Sequence, residues 1–247
     1  MNNSMSPTSK FLLAGISLLI LLCCAGHKKK EAEPKPFHYQ ISIQVLDSTN
    51  LDTCFWKINR VLEKKHPKLF KNPPDMADTA NPNYVTHLLK RYKVTWMNKT
   101  TSVIGAPYCV SPKDTTLLRK FLANPDYRAF FPPNTSFAYS APIKNKSCLD
   151  LYSLEDQSIR FTQNDVDSIF TTTNYLGKPA IGVKPTSEAQ KRLKAFSEQV
   201  MKREVVFLVN GSVYGRAIIN GVLDRYFEIY PDLTADEINS LLASLRQ

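Results

Sequence analysis

The chain has 247 residues, of which 43% are hydrophobic and 11% aromatic, so it is long and apolar enough to build a folded core. This composition excludes an intrinsically disordered chain except at its ends. The excess of 32 Lys and Arg over 22 Asp and Glu favours contact with anionic lipid, nucleic acid or acidic polypeptide. Because the sequence has no zinc finger, RNA-binding signature or basic helix, nucleic acid is not an expected partner.

The first predicted element is a targeting segment. Residues 11–26, FLLAGISLLILLCCAG, form an apolar run that is shorter than the roughly 20 residues of a spanning helix but suits the core of a secretory signal. Because the run ends in cysteine, we interpret residues 1–23 as a lipoprotein signal peptide, with Cys24 as the acylated first residue of the mature chain. Cys23 stands where Gly, Ala or Ser is usual. The alternatives are an ordinary cleaved signal and an uncleaved anchor, which would place Lys28–Lys30 in the cytoplasm by the positive-inside rule.

A tether is predicted over residues 24–37, since HKKKEAEPKP is charged, contains proline and lacks a pattern. The expected location is therefore the bacterial envelope, with the folded part facing the periplasm or the cell surface. The mature chain has three further cysteines, Cys54, Cys109 and Cys148, so one disulfide and one spare thiol are compatible with an oxidising compartment. Cys54 lies on an apolar helical stripe, which favours a buried free thiol. None belongs to a C-x-x-C pair, so neither a metal nor another cofactor is expected.

The folded part opens with a strand and a helix. In His38–Leu46, Tyr39, Ile41, Ile43 and Val45 alternate with polar residues, which predicts a half-buried strand. Apolar residues then recur at helical spacing and predict a helix with a cap at Asp47, Ser48 or Asn50: Leu51, Cys54, Phe55, Ile58 and Leu62. LDLYSL, residues 149–154, predicts another strand.

The C-terminal third has the clearest patterns. Gln163-Asn164-Asp165 is predicted to start a short helix through Ile169 and Phe170, and a strand follows at Ala180–Val183. A Ser187/Gln190 capping box opens a helix. Val205–Val209 and Val213–Ile219 flank Asn210-Gly211, the residues that a type I′ hairpin turn requires. A strand at Tyr226–Ile229 and a helix capped by Thr234 and Glu237 complete the order β-α-β-β-β-α.

This order resembles a known family. GKPAIGV, a capped helix, EVVFLVNGSVYGRAII, a strand and LTADEINSLLASL are similar to the head subdomain of the first large periplasmic domain in the SecD/SecDF protein-export family. KDTTLLRKFLANPDYRAFFPPNTSFAYS followed by LDLYSL is similar to the middle of that domain. The resemblance implies a two-lobed α+β fold: a base-like α+β lobe over residues 38–159 and a head-like lobe over 160–247, with a small mixed or antiparallel sheet and helices on one face.

The sequence also departs from the family. Asn210 replaces the turn Asp, Ala217 replaces a Pro after the hairpin, and Val222-Leu223-Asp224-Arg225 stands where the family has paired glycines. No second apolar run of about 20 residues is present, so the transmembrane helices that couple a proton gradient to export have no counterpart in this sequence.

The resemblance implies a membrane-tethered module that binds exported or unfolded polypeptide or assists the Sec translocon. The alternative is a structural envelope lipoprotein without an export role. Tyr214 and Arg216 stand at alternate positions of the returning hairpin strand, so they are expected to share a face and to contact the polypeptide. Because the sequence has no catalytic motif or paired histidines, no enzymatic activity and no small-molecule substrate are expected.

Overall fold

The computed structural model describes residues 39–68, 90–91, 108–143, 147–174 and 176–245, without the side chains of 52, 90 and 91. The strands are β1 (Gln40–Leu46), β2 (Lys90–Arg91), β3 (Tyr108–Val110), β4 (Ser136–Ser140), β5 (Leu149–Thr162), β6 (Val166–Thr173), β7 (Pro179–Pro185), β8 (Glu204–Val209), β9 (Ser212–Ile218) and β10 (Phe227–Ile229). The helices are α1 (Leu51–Lys65), α2 (Thr115–Ala123), α3 (Pro125–Arg128), α4 (Ser187–Gln199) and α5 (Ala235–Leu245), with 3-10 turns at Pro112–Asp114 and Gln163–Asp165. The predicted α+β class is confirmed.

A ring of five strands forms the centre of the fold. The larger sheet has the order β1-β8-β9-β4-β5-β3-β2, and β1 also pairs with β5, so β1, β8, β9, β4 and β5 close on themselves. Among the described pairs, only β4 with β9 is parallel. Buried side chains from all five strands meet inside the ring: Leu46, Ala138, Tyr152, Leu154, Val206, Leu208 and Val213. Closure leaves these five strands without an edge along the ring.

The other face of β1 packs against a second, smaller sheet. Ile41, Ile43 and Val45 are at most 1% exposed, which confirms the predicted alternation of this strand. They pack in one cluster with β7, β10, α4 and α5. The smaller sheet has the order β10-β7-β6 and is antiparallel throughout. The strands of the C-terminal third therefore divide between two sheets, because β8 and β9 join β1 while β7 and β10 do not.

Helices α1 and α2 cover another part of the larger sheet. The predicted stripe of α1 is buried against β3, β5 and α2, and its N-terminus is capped by the Asn50 side chain, which accepts a hydrogen bond from Thr53 N at 3.1 Å. A disulfide between Cys109 and Cys148, with Cα atoms 5.5 Å apart, ties β3 to the start of β5. A loop of this length accounts for about 4 kcal/mol in the chain-entropy model. Cys54 is a free buried thiol, as expected, and burial raises its pKa.

A buried carboxylate links β1 to this helical layer. Asp47 accepts hydrogen bonds from the backbone and hydroxyl of Thr49 at 2.7 and 2.6 Å and from the Thr135 hydroxyl at 2.5 Å. Burial on its own would raise the pKa of Asp47, but these hydrogen bonds outweigh it and lower the pKa. Arg128 donates to the Thr135 carbonyl and to two neighbouring carbonyls. The loop that precedes β4, residues 132–135, is therefore held by Arg128 on one side and by Asp47 on the other.

Two local predictions are corrected by the structure. Gln163–Asp165 is a single 3-10 turn, and the predicted helix through Ile169 is strand β6, whose β-branched residues favour extended backbone. The cap of α4 is Thr186 rather than Ser187, since the Thr186 hydroxyl accepts from Ala189 N at 3.4 Å. Gln190 donates to the Pro185 carbonyl instead of closing a capping box.

The predicted lobe boundary falls inside a strand. Phe37–Gln247 form one compact unit, and the boundary between residues 159 and 160 lies within β5. The division into two lobes stays a prediction.

The predicted hairpin turn is confirmed by its backbone angles. Asn210 has φ of 49° and Gly211 has φ of 80°, as a type I′ turn requires. Asn210 also fixes the hairpin to β1, because its side chain accepts from Gln40 N at 2.9 Å and its backbone N–H donates to the Gln40 carbonyl at 2.8 Å.

Gly211→Val is expected to lower the free energy of unfolding by about 1–2 kcal/mol, because a β-branched residue is strained at positive φ. No heavy atom lies within 4 Å of the new Cβ position, so the effect isolates backbone strain from steric collision. Gly211→Asn is the control and should cost less, since asparagine tolerates this conformation. Urea unfolding measures both, and equal stability of the Val variant and the original chain would contradict the turn assignment.

Candidate functional site

The two predicted contact residues do not share a face. A β-bulge interrupts the pairing of β8 with β9, because Phe207 pairs with Gly215 while Leu208 pairs with Val213. Tyr214 is the extra residue at this bulge, and an extra residue shifts the alternation of the strand beyond it. The expectation that Tyr214 and Arg216 form one surface is therefore wrong.

Each of the two side chains has its own environment. Tyr214 packs against the cluster that contains the outward face of β1, and burial raises the pKa of its phenol. Arg216 pairs with Val206, whose side chain lies inside the ring, and its guanidinium is 3.6 Å from Glu204. Burial raises the pKa of Glu204, and the charge of Arg216 opposes this. Tyr214 thus covers the core, while Arg216 holds an ion pair. The predicted lipidation residue, Cys24, lies outside the described residues.

An open sheet edge is the main feature that the sequence did not predict. β6 pairs with β7 on one side, and among the described residues no strand pairs with its other side. In an antiparallel pair, alternate residues direct their N–H and C=O groups away from the partner strand. β6 therefore presents a row of backbone donors and acceptors along eight residues. The sequence did contain a signal for the strand itself, the β-branched run Thr171–Thr173.

This edge lacks the usual protection against strand pairing. Natural edges carry charged residues, proline or bulges. In β6, Asp167 and a register shift between Val166 and Ser168 are confined to the first residues of the strand. From Ser168 to Asn174 the sequence SIFTTTN contains no charge and no proline. The second half of β6 is thus open to an added strand.

A hydrogen-bonded corner fixes the start of β6. Asp165 accepts from the backbone and hydroxyl of Thr162 at 2.8 and 2.9 Å and forms an ion pair with Arg192 of α4. Its carbonyl also accepts from Thr186 N at 2.9 Å. Burial would raise the pKa of Asp165, but the hydrogen bonds from Thr162 and the Arg192 charge outweigh it and lower the pKa. This carboxylate has the capping role that its position in the sequence indicates.

A cavity of about 400 Å³ lies beside the first half of β6. Its walls come from the start of β1, the 3-10 turn, β6 and α5: Tyr39, Gln163, Asn164, Val166, Asp167, Ser168, Ile169, Leu242 and Leu245. This volume is at the lower end of the range of about 300–1,000 Å³ for ligand pockets. Five of the nine lining residues are apolar or aromatic, and burial raises the pKa of one of them, Tyr39.

One wall of the cavity carries an unpaired acceptor. Gln163 Oε1 is buried and has no hydrogen-bond partner among the described residues. A buried carbonyl oxygen without a donor is costly and rare in folded proteins. Because this oxygen is also closed to solvent, it is not a contact that the cavity offers to a ligand.

Two exposed apolar side chains, Phe170 and Leu176, lie near the edge of the smaller sheet. Phe170 is 40% exposed and lies across Gly182, where it leaves no room for a Cβ. Leu176, in the turn after β6, is 65% exposed.

Across the described residues, no group of three or more His, Cys, Asp or Glu is placed to bind a metal ion. In the same part of the chain, no helix has the length and hydropathy to span a bilayer.

Asp165→Asn is expected to lower the free energy of unfolding at pH 7 by about 1–2 kcal/mol, after allowance for solvent screening of the partly exposed pair. A carboxylate with a lowered folded-state pKa stabilises above its unfolded pKa of about 3.9 and loses this contribution as pH falls through the folded value. The difference between the two proteins should therefore shrink below pH 4 in urea unfolding. The control is Asp167→Asn, whose exposed carboxylate is 3.9 Å from Lys184 and should matter little. A difference that does not change with pH would contradict the role of the charge.

Comparisons with known proteins give a likeness of fold only. No known family model matches the chain, and no curated protein matches it. A structure of SecDF, a membrane component that enhances protein export, aligns over 84% of this chain and 92% of its own, with 14% identity and a TM-score of 0.33. SecDF in a super-membrane-facing form aligns over 97% of this chain with 15% identity and a TM-score of 0.33. Thermus thermophilus SecDF, a translocon-associated membrane protein, also aligns over 97% of this chain, with 15% identity and a TM-score of 0.29. This chain spans 33% of the length of each of the last two, and at these TM-scores the likeness carries no argument about function.

Proposed function

We propose that this chain is a membrane-tethered envelope module that binds extended polypeptide by strand addition at β6. The observation that carries the proposal is the outer edge of β6, which no described strand covers and which lacks charge and proline from Ser168 onward. Strand addition uses main-chain hydrogen bonds for affinity, so it accepts many sequences. This property fits a protein that binds unfolded chains rather than one defined partner.

The surroundings of β6 supply contacts for the side chains of an added strand. Alternate side chains of a strand point to opposite faces. On the α5 side of the sheet they would enter the cavity next to Ile169, where Leu242 and Leu245 form an apolar wall. On the other side they would lie along Phe170.

The proposed location rests on the cysteines and the apolar run. The disulfide between Cys109 and Cys148 fits an oxidising compartment, which in bacteria lies outside the cytoplasm. In this proposal the signal peptide, residues 1–23, directs the chain to the membrane, and the acyl group on Cys24 then attaches the mature chain to it. The motif resemblance to the SecD/SecDF head is the reason for naming exported polypeptides and the Sec translocon as candidate partners. The proposed activity is binding, without catalysis and without a cofactor.

Ser168→Lys combined with Thr173→Lys is expected to weaken binding of a fluorescein-labelled, apolar β-forming peptide about tenfold, because lysines on an edge oppose strand addition. Both positions are exposed, so the fold should tolerate the change. Fluorescence anisotropy measures the affinity. Thr53→Lys with Ser240→Lys adds the same charge at exposed helical positions and serves as the control.

A second peptide separates backbone pairing from hydrophobic adsorption. N-methylation at alternate residues removes hydrogen bonds on one edge of the peptide without changing its charge. We expect one of the two methylation registers to abolish binding and the other to retain it. Equal binding of both registers, or of the lysine variant and the original chain, would contradict strand addition. If no unfolded polypeptide binds, the structural envelope lipoprotein without an export role is favoured.

Cys24→Ala is expected to remove the acyl mass and to move the chain from the membrane fraction to the soluble fraction, because this thiol is the proposed lipidation site. Mass spectrometry of the N-terminal peptide and fractionation measure the two effects. The matched control is Cys23→Ala, which should retain the lipid, since Ala is usual at the position before the modified cysteine. An intact Met1 start, or lipid on Cys23, would contradict the assignment.

A further inference from the structure

The excess of positive over negative charge lies in the first half of the chain. Residues 1–128 contain 19 Lys and Arg against 9 Asp and Glu, whereas residues 129–247 contain 13 of each. The net charge of +10 therefore belongs to the first half, and the part that carries β5 to β10 is neutral. Such an asymmetry indicates a surface that attracts an anionic partner.

Within the described residues, α1 gathers part of this charge on one face. Trp56, Lys57, Arg60 and Lys64 lie within about a third of the helix circumference, opposite the buried stripe, and all four are exposed. Two acidic residues flank this face: Asp52 stands four positions before Trp56 in the helix, and Glu63 is paired with Arg60 at 3.0 Å. Lys57 and Lys64 have no ion pair with a described carboxylate. We call these four residues the basic α1 face.

The aromatic residue on this face is unusually exposed for its size. Trp56 has 60% of its surface exposed, and the guanidinium of Arg60 lies 5.7 Å from the centre of its ring. An exposed tryptophan beside lysine and arginine is typical of helices that lie on a membrane, where the indole enters the headgroup region and the cations meet anionic lipid. A helix face that contacts only water is explained by its charged residues, whereas an exposed indole on that face is not.

The proposed attachment through Cys24 would place a bilayer within reach of this face. Fourteen residues, 25–38, separate Cys24 from Tyr39, the first described residue. Fully extended, they span at most about 50 Å. A compact domain of about 210 residues has a diameter of similar size. The folded part therefore stays close to the membrane surface, and any of its faces can meet the lipid.

We propose that the basic α1 face docks on an anionic bilayer surface. The proposal rests on the membrane attachment in the proposed function, because the tether supplies the high local lipid concentration that makes a weak contact effective. Docking fixes which side of the domain faces the lipid. The polypeptide-binding edge belongs to the smaller sheet and uses none of the four residues of this face.

The test uses the full chain with Trp96→Phe, so that Trp56 is the remaining tryptophan of the two in the sequence. The protein is reconstituted in phosphatidylcholine vesicles with or without phosphatidylglycerol, each doped with acyl-brominated lipid. We expect the brominated lipid to quench Trp56 emission at least twofold in the anionic vesicles and not in the neutral ones. Quenching should disappear at 1 M salt, where the screening length is about 3 Å.

Lys57→Gln, Arg60→Gln and Lys64→Gln together should abolish the quenching, and the corresponding Glu variant should do the same. Lys178→Glu, Lys191→Glu and Lys194→Glu change three exposed cations in the neutral half and should leave it intact. Circular dichroism confirms that each variant is folded. Quenching that is equal in the two vesicle types, or absent from both, would overturn the proposal, as would a Trp56 response to single-stranded DNA instead of anionic lipid.

Flotation of the same samples measures membrane attachment independently of Trp56 emission. It therefore distinguishes failure of the α1 contact from failure of the proposed membrane attachment. Full chain that floats with both vesicle types has its membrane attachment, whatever Trp56 shows. Chain that does not float with neutral vesicles lacks the attachment, and the tether is then wrong. Flotation without selective quenching contradicts the α1 contact alone.

Discussion

The backbone pairing of β1 with β5 is the constraint on which the positions of both surfaces depend. β5 has 14 residues, and its two halves have different partners: the first pairs with β3 and β4, the second with β1. Without the second set of pairs the larger sheet would remain open, and the buried cluster inside the ring would lose one wall. The C-terminal end of β5 lies next to α4, since Arg192 of α4 donates to the Arg160 carbonyl. The 3-10 turn follows at this point.

The two ends of β5 lead to the two surfaces. At its C-terminal end the Asp165 corner reverses the chain into β6, which therefore enters a separate sheet and stays at its edge. At its N-terminal end the disulfide holds β3, which packs under α1 and turns the basic α1 face outward. One long strand thus positions the open edge of β6 at one end and the helix that carries the basic α1 face at the other.

The features that the sequence predicted correctly are those that depend on residues close together in the chain. The Asn210-Gly211 turn, the buried stripe of α1 and the Thr234/Glu237 capping box depend on residues within a few positions, and the structure has all three. Strand β6 was predicted as a helix because the residues before it, Thr162 to Asp165, have a helix-capping pattern. In the structure this pattern caps only the single 3-10 turn that precedes the strand. The face of Tyr214 could not be predicted, since the bulge depends on which residue of β8 lies opposite. The open edge was likewise beyond the sequence, because it requires knowing which strands pair with β7.

The two proposed contacts differ in what they require from the rest of the molecule. Strand addition at β6 needs a rigid edge, and the Asp165 corner, the pairing with β7 and the packing of α5 supply it. The contact of α1 with lipid needs only an exposed face, so flexible lysines on a packed helix are sufficient. These surfaces belong to different core clusters with no residue in common. We therefore do not expect a polypeptide bound at β6 to displace lipid bound at α1. The tether and the α1 contact would then keep an otherwise weak polypeptide site at the membrane surface, where an emerging chain meets it at high local concentration.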